Sequence, residues 1–376
     1  MDNVGRRELL ASMAVTVGAT VITPTAAAAA PAATRSWIVG DQRGLASLTL
    51  GNRRLPAPGP GEALVRTTAA ALNHRDLMIL ESRYGARKPA TRVPLSDGAG
   101  VIIALGPDDG SPTPLAIGDR VTAAHFIDWH DGPFRPAVFA RDLGNSADGW
   151  AAEYVLLPRC TLLRIPDELG DSAAAALGAA GITAWTVIET LGRVQPGDVV
   201  LTLGTGGVAI LALQIAKMAG ARVAITSSSD AKLAIARRLG ADIVINYRTT
   251  PDWPTAVVAA TGGRGADIVV ETAGLGTLEQ SVAACAPNAR IGFLGALAAV
   301  PAEGTARPWP ALIGKNLTLK GITSGSRAEL EALLRAAAAN GLDPHRDRSF
   351  PFDELPAAYA HLAGAQHVGK VTVSFP

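Results

Sequence analysis

The sequence predicts an α/β protein with a doubly wound parallel sheet and a second, β-rich domain, on three observations. After residue 166, short apolar runs alternate with helical patterns of roughly ten residues, the rhythm of parallel strands joined by helices. Before residue 165, short β-branched runs are punctuated by Gly and Pro, which indicates a small irregular barrel. The chain has 376 residues, 48% of them hydrophobic and 18% charged, enough for two domains with a core each.

The strands and helices of the parallel sheet are predicted individually from their apolar patterns. Strands are expected at residues 199–203, 222–226, 243–246, 267–271 and 290–294. Helices are expected at residues 209–219, 230–239 and 278–285. The β-rich part has its clearest strand patterns at residues 62–67, 100–105, 119–123 and 153–157. We therefore expect domains at 35–165 and 166–315, with the C-terminal stretch 316–376 completing both.

Composition excludes several function classes. The formal net charge of +1 provides no field for binding nucleic acid or an anionic membrane. Two cysteines, Cys160 and Cys285, exclude a disulfide framework and a four-cysteine zinc site. The abundance of apolar residues argues against a disordered chain.

Residues 1–34 have the pattern of an export signal. Arg6 and Arg7 precede an apolar run over residues 11–22, and an alanine-rich zone follows over residues 26–33. The paired arginines favour the twin-arginine route, which exports folded proteins, and predict a periplasmic or secreted protein. The apolar run is too short for a stable membrane span. The alternative is a meaningless leader from a wrongly chosen start codon, in which case the protein is cytoplasmic.

A glycine-rich turn follows the first strand of the parallel sheet and opens a helix. Read as G-x-G-x-x-G/A, its small positions are Gly204, Gly206 and Ala209. Glycines there permit a tight turn and close approach of a pyrophosphate, and the helix N-terminus offers free N–H groups to the phosphates. We therefore predict that a dinucleotide binds at Gly204, Thr205, Gly206, Gly207 and Val208.

The end of the second strand indicates which dinucleotide binds. An acidic residue there would hold the ribose 2′-hydroxyl of NAD, whereas this chain has Ser227 and Ser228, then Asp230 and Lys232. Hydroxyls and a lysine suit a 2′-phosphate, so NADP is predicted, with NAD possible. The serines could equally cap the next helix, and both uses are compatible.

Several motifs together resemble the medium-chain dehydrogenase/reductases. They are Asn73-His74-Arg75-Asp76, Asp97-Gly98-Ala99-Gly100, Gly118-Asp119-Arg120-Val121, Gly181-Ile182-Thr183-Ala184-Trp185, and the Ile245-Asn246-Tyr247 segment. The resemblance covers residues 36–376 and implies a GroES-like substrate domain around an inserted Rossmann domain. It is strongest for the zinc-independent quinone oxidoreductase-like and alcohol dehydrogenase-like members. It also places Tyr247 among the cofactor-binding residues.

The departures from the family pattern concern the metal. Zinc-dependent members of the family have a Cys where this chain has Asn73, and His-Glu where it has Ser96-Asp97. A lone carboxylate without Cys or His partners does not hold zinc, so no metal site is predicted. His125 and His130 lie near acidic residues in the insert 123–135, which is interpreted as a solvated loop.

The resemblance also implies the substrate pocket. The Asn of the N-x-x-D motif lies by the nicotinamide in zinc-independent relatives, and tyrosines further on line the pocket. Asn73 and Tyr84 match these positions and are the predicted catalytic residues, whereas Met78 replaces the other tyrosine. Asp76 is interpreted as structural, and His74 or Arg75 as either a proton source or an exposed loop residue.

The predicted function is zinc-independent hydride transfer between a nicotinamide cofactor and a carbonyl, enone or quinone held between the domains. An alcohol dehydrogenase working oxidatively, or a nucleotide-binding relative without turnover, would use the same residues. The expected partner is a small-molecule substrate. Relatives commonly form dimers through edge strands, so a homodimer is possible.

Overall fold

The computed structural model describes residues 31–108, 110, 114–295 and 309–376. Most of the predicted export segment 1–34 lies outside these residues. Its last residues, Ala33 and Thr34, already belong to the first strand, where they pair with Arg54 and Arg53.

The N-terminal part of the chain is mainly β-structure. Its strands are β1 (Ala33–Ile38), β2 (Thr49–Arg54), β3 (Glu62–Leu72), β4 (Asp97–Leu105), β5 (Arg120–Ala123), β6 (Tyr154–Pro158) and β7 (Leu162–Arg164). One α-helix, α1 (His74–Leu80), interrupts them. Short 3-10 turns lie at Leu45–Ser47, Pro136–Ala140 and Arg159–Thr161.

The middle of the chain alternates strands with helices. In order, it contains α2 (Asp171–Ala176), α3 (Ala179–Trp185) with a π-helical continuation at Thr186–Leu191, β8 (Val199–Leu203), α4 (Gly207–Met218), β9 (Arg222–Ser227), α5 (Asp230–Arg238), β10 (Ile243–Asn246), α6 (Trp253–Ala260), β11 (Ala266–Glu271), α7 (Leu278–Ala284), β12 (Cys285–Phe293), α8 (Trp309–Gly314) and β13 (Thr318–Gly321). The C-terminal part adds α9 (Arg327–Asn340), β14 (Arg346–Pro351), a 3-10 turn at Phe352–Glu354, α10 (Leu355–Ala363) and β15 (Lys370–Ser374).

Six of these strands form one parallel sheet in the order β10-β9-β8-β11-β12-β13. The order of strands reverses at β8 and β11, because β9 and β10 are added on one side of β8 and β11 to β13 on the other. In such sheets a ligand crevice lies at the carboxyl ends of the two strands where the order reverses. Val200 and Leu201 point to opposite faces, and each face packs against helices. The predicted doubly wound parallel sheet is confirmed.

A second sheet joins both ends of the chain. Its order is β14-β15-β3-β4-β5-β7, with β6 paired to β3, and all its pairs are antiparallel except β14–β15. The C-terminal strand β15 lies beside β3, so Lys370 at its start comes close to Asn73 at the end of β3. Trp150 and Tyr359 are fully buried in the core of this domain.

Candidate active site

The glycine-rich turn joins β8 to α4 as predicted. Gly204 has φ of 76°, a conformation that favours glycine, and its N–H donates to the carbonyl of Thr226 on β9 (2.9 Å). A Cβ atom at Gly204 or Gly206 would meet no atom within 4 Å, so open space lies over the turn. Gly206 caps α4 without a side-chain hydrogen bond, which leaves the first N–H groups of the helix to an anion. The residues present fit a dinucleotide pyrophosphate.

The far end of the crevice is built by the ends of β9 and β10. Ser229 caps α5 by accepting from the N–H of Lys232, while Ser227 is 4% exposed and accepts from the N–H of Ser229 (3.3 Å). Asn246 donates to the Asp230 carboxylate (2.8 Å), and the Tyr247 ring is exposed. Capping and cofactor binding therefore remain compatible uses of this serine segment.

Lys232 lies beside this segment, with its Nζ donating to the carbonyl of Ala365. Burial lowers the pKa of Lys232, and Asp347 opposes that shift. The Lys232 ammonium is thus held in place near the predicted 2′-phosphate position.

We expect Lys232→Gln to weaken NADPH binding about 10-fold or more while leaving NADH binding unchanged. A charge-assisted hydrogen bond to phosphate contributes ~1.5–3 kcal/mol, and NADH lacks that phosphate. Fluorescence titration with both cofactors measures the two dissociation constants. Lys217→Gln is the control. Lys217 lies in the last turn of α4, away from the glycine-rich turn, and forms an ion pair with Asp242. Equal losses for NADPH and NADH would contradict the assignment.

A buried polar cluster lies where the β-rich domain meets the crevice. Asn73 Nδ2 donates to Asp97 Oδ2 (2.8 Å) and to Ser96 Oγ (3.2 Å). The Ser96 hydroxyl donates to Asp97 Oδ1 (2.9 Å), and that oxygen also accepts the N–H of Ala179 at the start of α3 (3.0 Å). Asp97 therefore connects the β-rich domain to the helix that leads into the parallel sheet.

Lys370 completes this cluster, although its role was not predicted from the sequence. Its Nζ donates to Asn73 Oδ1 (2.6 Å), to the carbonyl of Leu72 (2.9 Å) and to Asp97 Oδ2 (3.5 Å). The three acceptor oxygens match the three N–H donors of a lysine ammonium. Its side chain is 1% exposed, and burial lowers its pKa while Asp97 and Asp76 oppose that shift. Every polar atom of the Asn73 side chain is thus engaged within the cluster.

Lys370 also reaches the glycine-rich turn. The preceding Gly369 donates its N–H to the carbonyl of Thr205 (2.9 Å), and a Cβ at Gly207 would lie 3.0 Å from Lys370 Cδ. The absence of a side chain at Gly207 therefore leaves space for the Lys370 side chain. This contact joins the cofactor turn to the Asn73 cluster.

The residues of this cluster do not fit a zinc ion. An amide, a hydroxyl and one carboxylate are a poor donor set for zinc, which prefers thiolate and imidazole. The Lys370 ammonium already lies among these oxygens, and a second cation would face it at short range. Within the described residues, no three His, Cys, Asp or Glu side chains are grouped as metal ligands.

Asp76 has the structural role expected for it. Its Oδ2 accepts the N–H of Asn73 (2.7 Å) in a capping box at the start of α1, while its Oδ1 is buried without a partner. Burial raises the pKa of Asp76 to about 7, although Arg75 opposes the shift.

Asp76→Asn should raise stability at neutral pH and leave it unchanged near pH 4. Because the pKa of about 7 in the folded protein exceeds the ordinary aspartate pKa of 3.8, folding favours the protonated acid. The stability that this proton supplies is present below about pH 4 and is lost as pH rises through about 7. Urea unfolding between these values measures the difference between variant and wild type. A difference that does not vary with pH would contradict the assignment.

Tyr84, the second predicted catalytic residue, stacks against Arg75 with the guanidinium carbon 5.0 Å from the ring centroid. Burial raises the pKa of its phenol, and Arg75 opposes this shift. Tyr84 is therefore next to the Asn73 segment but contacts a different set of side chains. Arg75 itself is not an exposed loop residue, because it forms an ion pair with the buried Asp142 (2.7 Å).

The interpretation of residues 123–135 as a solvated loop is wrong for the first half of the segment. His125 is 2% exposed, and Phe126 and Trp129 are buried in a small aromatic cluster with Val138. His130 is exposed, as expected. Phe126 and Trp129, two large aromatic residues three positions apart, were the sequence feature that could have indicated burial.

Comparisons with known proteins agree with this architecture. Residues 59–167 match the alcohol dehydrogenase GroES-like domain, and residues 207–339 match the zinc-binding dehydrogenase family. A zinc-type alcohol dehydrogenase-like protein of Schizosaccharomyces pombe is 39% identical over 322 residues, which span 84% of this chain and 91% of the relative. The chain belongs to the medium-chain dehydrogenase/reductase superfamily.

Solved structures support the same family and the predicted GroES-like domain. A candidate alcohol dehydrogenase from Sinorhizobium meliloti 1021 is 38% identical, with a TM-score of 0.83 over 92% of this chain and 100% of that one. An NAD-dependent alcohol dehydrogenase is 35% identical, with a TM-score of 0.80 over 90% of this chain and 99% of that one. This medium-chain dehydrogenase/reductase is an NAD(P)-dependent oxidoreductase of the alcohol dehydrogenase-like type. Among its described residues, no helix is long and apolar enough to cross a membrane.

Proposed function

We propose that this enzyme transfers hydride between NADP(H) and a carbonyl, enone or quinone without zinc. The observation that carries the proposal is the Lys370 ammonium, which lies among the oxygens of Asn73 and Asp97. These positions correspond to those of metal ligands in zinc-dependent members of the family. A cationic side chain of the protein thus lies where those members hold a metal ion.

The cofactor supplies the hydride when it is bound. The N-terminus of α4 would hold the pyrophosphate, and Gly206 leaves room for it. Lys370 orients Asn73, whose side-chain amide is held by three hydrogen bonds, to Ser96, Asp97 and Lys370.

The test is titration of the purified full chain with NADPH and NADH, followed by turnover assays with benzaldehyde, cinnamaldehyde and benzoquinone. We expect tighter binding of NADPH and oxidation of NADPH by at least one of these acceptors. Failure to bind either cofactor would overturn the proposal. Tight binding without any turnover would instead identify a nucleotide-binding relative that is not an enzyme.

The oxidative direction is a second candidate, because the similar solved structure named above is an NAD-dependent alcohol dehydrogenase. The Asp230 carboxylate at the start of α5, bound by Asn246, is the feature of this chain that favours NAD. Benzyl alcohol with NAD and with NADP separates this candidate from the first. Faster turnover of the alcohol with NAD would favour it.

A further inference from the structure

A second buried polar cluster crosses the interface between the two domains. His125 follows β5 in the β-rich domain, and Ser324 follows β13 of the parallel sheet. His125 Nε2 lies 3.0 Å from Ser324 Oγ, and its Nδ1 lies 2.9 Å from Asp142 Oδ1. Serine, histidine and aspartate are thus connected in a line, with the histidine in the middle.

This cluster lies at the end of the crevice opposite to the predicted adenosine end. Ser324 is at the carboxyl edge of β13, on the half of the sheet beyond β11, whereas Ser227 is on the other half. A dinucleotide that crosses the sheet at its switch point brings its nicotinamide to the β11–β13 half. Arg75, which contacts the cluster, is two residues from Asn73. The cluster is therefore beside the predicted site of hydride transfer.

Neighbouring contacts hold the cluster in place. Asp142 is fully buried, and its Oδ2 accepts hydrogen bonds from Arg75 (2.7 Å) and Asn145 (2.9 Å). Across the interface, the N–H groups of Arg327 and Ala328 at the start of α9 donate to the carbonyls of Trp129 and His130, in the segment that follows His125. The His125 ring is thus positioned from both domains.

The charges that face His125 oppose each other. Arg75 Nη1 lies 2.9 Å from the His125 Nδ1 that also faces Asp142. The Asp142 carboxylate and the Arg75 guanidinium thus face the same ring nitrogen, one as a hydrogen-bond acceptor and the other as a donor. Burial raises the pKa of Asp142, but Arg75 and His125 outweigh this effect and hold it at about 2. Tyr84 and Lys88 are the next titratable groups, on the side of Arg75 and Asp142.

Ser324 has a strained backbone. Its φ is 138°, a conformation that side-chain-bearing residues rarely adopt, and it is 3% exposed. Strain of this kind persists where the surrounding structure enforces it, and it clusters at functional sites. Here it brings the hydroxyl to His125 Nε2.

We propose that Ser324 and His125 form the proton relay of the hydride transfer, an inference that rests on the proposed function. As hydride forms a C–H bond at the substrate carbon, the Ser324 O–H bond breaks and its proton goes to the substrate oxygen. The serine oxygen takes the proton from His125 Nε2, which leaves a neutral imidazole that solvent recharges. In alcohol oxidation, the same protons move in the opposite direction.

His125→Gln and Ser324→Ala test the relay in the full chain with NADPH and the acceptor that the wild type turns over. We expect each variant to lower kcat about 100-fold or more with little change in NADPH binding. His125→Gln should also remove the pH dependence of kcat that the histidine causes. The double variant should be no slower than the slower single variant, because both residues act in one relay. His130→Gln, an exposed histidine of the same segment, is the matched control.

The outcomes separate the relay from the proposed function. A wild type that binds NADPH but turns over none of the acceptors overturns both proposals. A wild type that turns over, with a His125→Gln variant that keeps its rate and pH profile, overturns the relay alone. Ser324→Ala removes only a hydroxyl, and wild-type kcat in that variant would overturn the relay even if His125→Gln did not fold.

Discussion

Lys370→Met is expected to lower the free energy of unfolding by ~3–5 kcal/mol, because it leaves the buried Asp97 carboxylate without its cation. Turnover should fall about 100-fold or more, since Asn73 loses the partner of its carbonyl oxygen. Chemical denaturation and steady-state kinetics measure the two effects. Lys320→Met is the control, because Lys320 is exposed on the edge strand β13.

The double variant Lys370→Met/Asp97→Asn distinguishes charge from packing. Neutralising Asp97 removes the unpaired carboxylate, so stability should recover in part while turnover remains low. Equal stability of the single and double variants would show that the ion pair is not what Lys370 contributes. Wild-type turnover in Lys370→Met would contradict its role in positioning Asn73.

Gly206→Leu is expected to weaken NADPH binding about 100-fold without a matching loss of stability. A leucine side chain meets no protein atom at its Cβ, but it fills the space that the pyrophosphate requires. The lost interactions are charge-assisted hydrogen bonds of ~1.5–3 kcal/mol each. Fluorescence titration and thermal unfolding of the same samples give both quantities.

Gly170→Leu is the matched control for this substitution. Gly170 precedes α2 as Gly206 precedes α4, with φ of −72° against −76°, no side-chain cap and no atom within 4 Å of a Cβ. The two substitutions therefore differ in location and hardly at all in conformation. If both variants bound NADPH equally well, the glycine-rich turn would not be the cofactor site.

The parallel sheet was predictable from the sequence because its pattern is local. A buried strand such as β8 is a short apolar run, and α4 and α5 have clear starts at Gly206 and Ser229. The helix α6 was not predicted, since it has only eight residues and contains Pro254 at its start. The strands β1 and β2 have many charged or polar residues and no clear alternation.

The polar clusters were predictable only in part. Asn73 was found because it belongs to a local motif, whereas Lys370 is 297 residues away from it in the chain. His125 and Ser324 are separated by 199 residues and follow strands of different sheets. No spacing rule connects such residues, because only the packing of β15 on β3 and of α9 on the His125 segment brings them together.

The proposed function places the buried Lys370 ammonium, and not a zinc ion, beside Asn73 and Asp97. The most direct test is to purify the full chain from zinc-supplemented cells and to measure its zinc content and its NADPH-dependent turnover before and after chelation. We expect zinc far below one ion per chain and a rate that chelation does not change. One zinc ion per chain whose removal abolishes turnover would contradict zinc-independent hydride transfer.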